Sequence, residues 1–323
     1  PPQIKPNTIY PDMSDIKGQH QAKRALEVAA CGGHNILFFG PPGTGKTMLA
    51  QRLPGILPAL DEPQARASAA IASISQHGFD PENWTRRVFR APHHTCSAVA
   101  LIGGGSTPQP GEVSLSHCGV LYLDEIPEFG RRVLEVLREP LESGEVTISR
   151  AAKTARFPAD FQLLASMNPC PCGYYGSKRN RCRCTPDQIK RYQFRLSGPL
   201  LDRIDLHIEV PEISISELQT MQSGEPSAKI KQRVLKARNR AVERQKCINA
   251  RMTQEDLNAH CKLTSRETQF LNQACERLGL SARAYHRIIK IARTIADLQC
   301  SERVLCQHLS ESIQYRQLDR NTN

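Results

Sequence analysis

The octet Gly40-Pro41-Pro42-Gly43-Thr44-Gly45-Lys46-Thr47 has the residue types and spacing of a phosphate-binding loop. Its small residues let backbone N–H groups wrap phosphate oxygens, Lys46 is placed to neutralise the β and γ oxygens, and the Thr47 hydroxyl is placed to hold Mg²⁺. An ordinary glycine turn is the competing reading. Asp124-Glu125 closes the apolar run Val120-Leu121-Tyr122-Leu123. Beside a phosphate loop, Asp124 suits Mg²⁺ coordination and Glu125 suits the base that orients an attacking water; without one, the same pair would read as a helix cap. Cys170, Cys172, Cys182 and Cys184 follow in the pattern C-x-C, nine residues, C-x-C. Side chains two apart on an extended segment share a side, so each pair can offer two thiolates to one Zn²⁺, against the alternative of reduced, unligated thiols.

These residues need strand ends to carry them. Ile36-Leu37-Phe38-Phe39 reads as a strand entering the glycine loop, and Met48 to Leu53 as a helix leaving it, stopped by Pro54. Val120 to Leu123, Phe161 to Met167 and Ile204 to Val210 supply further buried strands. Apolar strands alternating with helical segments predict an α/β fold, a parallel sheet covered on both faces, with ligands at the strands' carboxyl ends. Beyond Pro211 the composition changes. Lys229 to Arg251 carries nine basic residues and one acid, and Leu263 to Leu309 has helical periodicity without strand runs. The expected organisation is an α/β nucleotide-binding domain over 1–212, a polar linker over 213–228 and a smaller helical domain over 229–323.

The chain has 323 residues, enough for two domains with real cores, and a formal charge of +11 that favours polyanionic partners. No run approaches the roughly 18 apolar residues that cross a bilayer, and the first residues resemble neither a signal nor a transit peptide. A start at Pro1 rather than Met predicts that a preceding portion lies outside this sequence. Twelve cysteines in a chain with a large core point to a reducing, cytoplasmic setting rather than a disulfide scaffold, with Cys31 and Cys118 as ordinary buried thiols.

Together these motifs resemble the AAA+ ATPases, and the resemblance implies further roles. Asp15-Ile16-Lys17-Gly18-Gln19 is similar to the adenine-side segment, which puts Ile16 and Gln19 near the base. Asn168 falls where the family's sensor watches the γ-phosphate. Leu200-Leu201-Asp202-Arg203-Ile204-Asp205 is similar to the arginine-finger segment, implying that Arg203 reaches a neighbouring subunit's ATP, with Arg195 as a rival; Ser281-Ala282-Arg283 resembles a second sensor contacting the γ-phosphate in cis. A surface ion pair is the plain alternative for either arginine. A finger acting in trans implies a ring, expected to be a hexamer, and the C-terminal helices would form the family's lid domain.

The inserted segments Arg90 to Thr95, Gly103 to Gly105 and Pro110 to Glu112, with a hairpin over Glu145 to Phe157, resemble the branch of magnesium chelatase subunits and MCM helicases. Asn168 to Gly176, Leu200 to His207 and Ser281 to Leu298 are similar to the bacterial ComM/YifB family, which implies a helicase promoting branch migration in homologous recombination during natural transformation, and an N-terminal Lon-protease-like domain in whatever precedes Pro1. In that setting Arg150, Lys153 and Arg156 of the hairpin would line a pore and follow single-stranded or branched DNA, although a solvated basic turn uses the same residues. Lys178, Arg179, Arg181 and Arg183 give the cysteine loop a second DNA-facing surface, or a solvated charge run. His93 and His94 lack a third ligand at metal spacing and are read as loop or nucleic-acid contacts. Because the cysteine loop leaves after Asn168 and returns before Arg203, its collapse is expected to disturb that path more than the phosphate loop. A non-DNA remodelling ATPase of the chelatase type is the rival reading.

Overall fold

The computed structural model describes residues 10–75, 78–105, 107–150, 153–177, 180–316 and 318, the side chains of Arg150, Lys153 and Ile215 excepted. Apolar runs too short for helices become the strands β1 (Ile36–Phe39), β2 (Phe89–Arg90) and β3 (Val120–Leu123), then, past a hairpin of β4 (Glu145–Arg150) and β5 (Lys153–Pro158), β6 (Gln162–Met167) and β7 (Leu206–Glu209). One five-stranded sheet has the order β2-β3-β6-β1-β7, and every pairing in it is parallel. The alternation of side chains sends Ile36, Phe38, Tyr122 and Leu164 to one core and Leu37, Leu121, Leu163 and Ala165 to another, so both faces are covered. The α/β class and the parallel sheet are as expected. The hairpin stands apart as its own antiparallel pair, with Arg150 opposite Lys153 at its tip.

Helices α1 (His20–Gly32) and α2 (Lys46–Ile56) lie on the first of these cores. Pro54 does not stop α2, which runs on to Ile56; its ring sits in the last turn, where Leu57 N–H bonds back to its carbonyl. Later helices include α3 (Pro186–Gln193), α4 (Ser227–Gln245), α5 (Ser265–Leu278), α6 (Ala282–Leu298) and α7 (Cys306–Gln314). Helix α6 is buried on two sides: Ile291 and Ile295 join the core beneath α1, while Ile288 and Ala292 pack with Leu271 and Leu309 in a separate cluster. The basic run on α4 is largely spent on packing. Arg233 pairs with Glu27 and Glu225, Arg238 donates to the Ala30 carbonyl, and Arg244 pairs with buried Asp297.

Candidate active site

Three neighbouring strands end side by side and deliver the chemistry. Strand β1 runs into Gly40, where an added Cβ would stand 2.3 Å from the Val210 carbonyl oxygen; glycine alone lets the loop leave past β7. Strand β3 delivers Asp124 and Glu125, and β6 delivers Asn168. Lys46 Nζ donates to the Gly40 and Pro41 carbonyls, both at 2.7 Å, and to Asn168 Oδ1 at 3.3 Å. Burial pushes its pKa down to about 8 against the opposing pull of Asp124 and Glu125. Thr47 Oγ1 donates to Asp124 Oδ2 at 3.1 Å and accepts from the Tyr122 hydroxyl at 3.2 Å. Ser166 holds the other Asp124 oxygen, so a hydroxyl and a carboxylate, the hard oxygen donors that suit Mg²⁺, are already together. Glu125 sits at φ +50, uncommon for a side-chain-bearing residue, with its N–H on Asp124 Oδ1 and Ser166 Oγ at 3.1 Å each.

Beside the loop is a cavity of about 650 Å³. Pro42, Gly43, Thr44 and Gly45 line it on the phosphate side, and Ile16, Ile213 and Leu218 offer apolar surface suited to a base. Gln19 fastens the two sides, donating to the Pro211 carbonyl at 2.8 Å and the Thr44 carbonyl at 3.3 Å. Ile213 and Leu218 escaped the sequence reading because their segment is polar and was assigned to a linker. The signal was present in Ser214 and Glu217, which form a capping box that starts the helix Ile215–Thr220.

The two arginines assigned by resemblance lie together and away from this loop. Arg203 donates to the Pro199 carbonyl at 2.7 Å and pairs with Glu142. Arg283, at the start of α6, lies 3.4 Å from Asp202, and both arginines line one cavity of about 430 Å³ with Arg287 and Lys290. Arg283 is held beside Asp202 because α6 docks against the segment 200–205. Behind them Asp205 is buried, pairing with Arg287 and accepting from Asn35 N–H at 2.9 Å, while Asn35 Nδ2 donates to the Arg203 carbonyl at 2.9 Å. Burial alone would raise the Asp205 pKa, but Arg287, His34 and the Asn35 N–H hold it well below the usual carboxylate range. Arg195 goes elsewhere, 3.0 Å from Glu128 and over the Tyr192 ring.

The four cysteine sulfurs of 170, 172, 182 and 184 all lie within 4.8 Å of one another, the only such metal-competent group among the described residues. Backbone N–H groups of Tyr175 and Cys184 point at the sulfurs of Cys170 and Cys182, at 3.3 and 3.4 Å. Four convergent thiols with backbone donors fit a tetrahedral Zn²⁺. Arg181 and Arg183 are exposed around the cluster; Lys178 and Arg179 lie outside the described residues. In the hairpin Arg156 is exposed, and Arg150 and Lys153 are placed by their backbone alone. His93 Nδ1 bonds to the Thr95 hydroxyl at 2.9 Å, a loop contact.

Residues 12–218 match the family described as magnesium chelatase, subunit ChlI, and residues 224–316 match its C-terminal family. The chain belongs to the magnesium-chelatase-like AAA+ family. Within that family it is 52% identical to the competence protein ComM of Haemophilus influenzae over 315 residues, 97% of this chain and 61% of that protein. It is 50% identical to the uncharacterized protein YifB of Escherichia coli over 310 residues, 96% of this chain and 61% of that protein. The magnesium-chelatase 38 kDa subunit of Cereibacter sphaeroides is 28% identical over 178 residues, 48% of this chain and 52% of that protein. The chain thus spans about three fifths of the length of its ComM and YifB relatives. No helix among the described residues of this AAA+ chain is long and apolar enough to cross a membrane.

Proposed function

We propose that this chain is the ATPase motor of a ring-forming DNA helicase that promotes branch migration in homologous recombination and natural transformation. The observation that carries the ATPase part is the convergence of Lys46, Thr47, Asp124, Glu125 and Asn168 at three adjacent strand ends. Thr47 and Asp124 would hold Mg²⁺, which when bound neutralises charge on the phosphate oxygens. Glu125 orients the attacking water, and Asn168, in reach of both Glu125 and Lys46, reports the γ-phosphate to them. Arg203 and Arg283 share a cavity remote from their own loop, which supports a role on the nucleotide of a neighbouring subunit and hence a closed ring, a hexamer in this reading. Zn²⁺ on the four cysteines would fix the shape of the basic loop.

The DNA part rests on the 52% identity to a competence protein and on the exposed basic residues Arg156, Arg181 and Arg183. The hairpin residues Arg150 and Lys153 and the loop residues Lys178 and Arg179 extend the same surfaces in this reading, in a cytoplasmic setting. Salt-dependent binding of single-stranded and forked DNA, with hydrolysis stimulated by that DNA, tests it. The likeness to a magnesium-chelatase subunit favours a second reading, a protein-remodelling ATPase. Hydrolysis indifferent to DNA would select that one.

A further inference from the structure

The cysteine loop lies on the phosphate loop. Straight after Asn168 and Pro169 the chain turns at Gly173, at φ +83, where an added Cβ would stand 2.9 Å from Pro42 Cδ and 3.9 Å from Asn168 Cγ. Immediately after its second glycine, Gly176, the loop is tied down again. Ser177 Oγ lies 3.0 and 3.1 Å from the two Glu212 carboxylate oxygens, and Asn180 N–H donates to Ser177 Oγ at 3.0 Å. Asn180 and Glu212 both line the nucleotide cavity beside Pro42 and Gly43. At the far end, Gln193 Nε2 of α3 donates to the Pro169 carbonyl at 3.1 Å and closes the loop on its own start.

We propose that the Cys170–Cys184 loop is a positioning wall of the nucleotide cavity, and that the metal on its four cysteines sets nucleotide affinity by holding Gly173 against Pro42 and Asn180 at the cavity rim. The inference rests on reading the cluster as a metal site. Its physical reason is that, apart from those few hydrogen bonds, the loop has little apolar packing to hold it. Of the four cysteines only Cys170 is fully buried, Tyr175 is exposed, and the described part of the loop contributes no side chain other than Cys170 to a buried apolar surface. Without the ion, four sulfurs within 4.8 Å repel as thiolates and bond only weakly as thiols, so the loop opens and gains chain entropy. Opening takes Gly173 off Pro42 and moves Asn180 away from the rim. Because the metal stabilises the arrangement that nucleotide also requires, the coupling is reciprocal: bound nucleotide raises metal affinity by the factor by which metal raises nucleotide affinity.

The test uses the full chain, with metal content measured by elemental analysis and affinity measured with a fluorescent ribose-labelled ATP. Protein stripped of metal by a chelator and confirmed folded by far-ultraviolet circular dichroism should bind that nucleotide about tenfold more weakly. Added Zn²⁺ should restore the affinity, and excess ATP should raise the Zn²⁺ affinity, read by equilibrium competition with a chromogenic chelator, by a similar factor. Gly173→Val, which crowds Pro42 without replacing a ligand, should keep its Zn²⁺ and lose nucleotide affinity, a check that does not depend on stripping the metal. Metal-bearing protein whose nucleotide affinity is unchanged on stripping overturns the inference and leaves the metal site standing. Protein purified without chelator that carries no metal and takes up none overturns the metal reading itself.

Discussion

Asn168 Nδ2 donates to Glu125 Oε1 at 3.2 Å, so the side chain at the end of β6 holds the carboxylate at the end of β3. Its other amide atom faces Lys46 Nζ. In the proposed reading, a γ-phosphate arriving at Lys46 would compete for the same amide and release Glu125 toward water. Sensing and activation would then be one exchange of hydrogen bonds, with the backbone of Glu125 at φ +50 keeping the carboxylate close.

Glu125→Gln should bind ATP as tightly as the parent and lose turnover by at least about a hundredfold, since the base acts only as the transition state forms. Lys46→Ala should instead lose binding, because its partner is the ground-state phosphate. Asn168→Ala should lower kcat more than affinity. Equilibrium binding beside steady-state hydrolysis separates the three, and normal turnover in the Glu125 variant would remove the base assignment.

Arg203→Ala and Arg283→Ala should each leave ATP affinity nearly intact and abolish hydrolysis. Mixing either with Glu125→Gln chains should restore activity, since some interfaces then combine an intact base with an intact arginine. Co-assembled mixtures that stay inactive would count against action across a subunit boundary.

Binding of ATP should take up a proton above about pH 8. Burial holds the Lys46 pKa near 8, so the amine is largely neutral at pH 9, and incoming phosphates restore its charge. Affinity should fall as pH rises through that value, and calorimetry in buffers of different ionisation enthalpy should show uptake at pH 9 and almost none near pH 6.5. Equal uptake at both would contradict a buried, depressed Lys46.

Asp205→Asn should destabilise the fold by about 2 kcal/mol at pH 7, the usual cost of losing a buried charged hydrogen-bond partner, since Asp205 is buried while Arg287 keeps some access to water. The Asp205 carboxyl is depressed in the folded state, so its contribution is present above the unfolded value of about 3.9 and is lost as pH falls toward the folded value. The gap between parent and variant in urea unfolding should therefore hold from neutral pH to about pH 4 and narrow below it. The same variant should lower kcat, because Asn35 bonds both Asp205 and the Arg203 carbonyl.

Local order carried the phosphate loop, the Asp124-Glu125 pair and the cysteine spacing, because a four-residue apolar strand followed by a glycine loop or by acids leaves little choice of backbone, and the parallel sheet follows from repeating that unit. What residue order did not determine was which strand ends become neighbours and which face α6 covers. The sheet order puts β6 between β3 and β1, and so makes Asn168 the bridge between Lys46 and Glu125. The packing of Ile291 and Ile295 under α1 fixes α6 against the finger segment and takes Arg283 to Asp202 rather than to its own phosphate loop. The contact of Gly173 with Pro42 joins residues more than a hundred positions apart. Such contacts form because burying apolar area lowers the free energy of the whole chain, a sum over distant residues to which no local spacing has access.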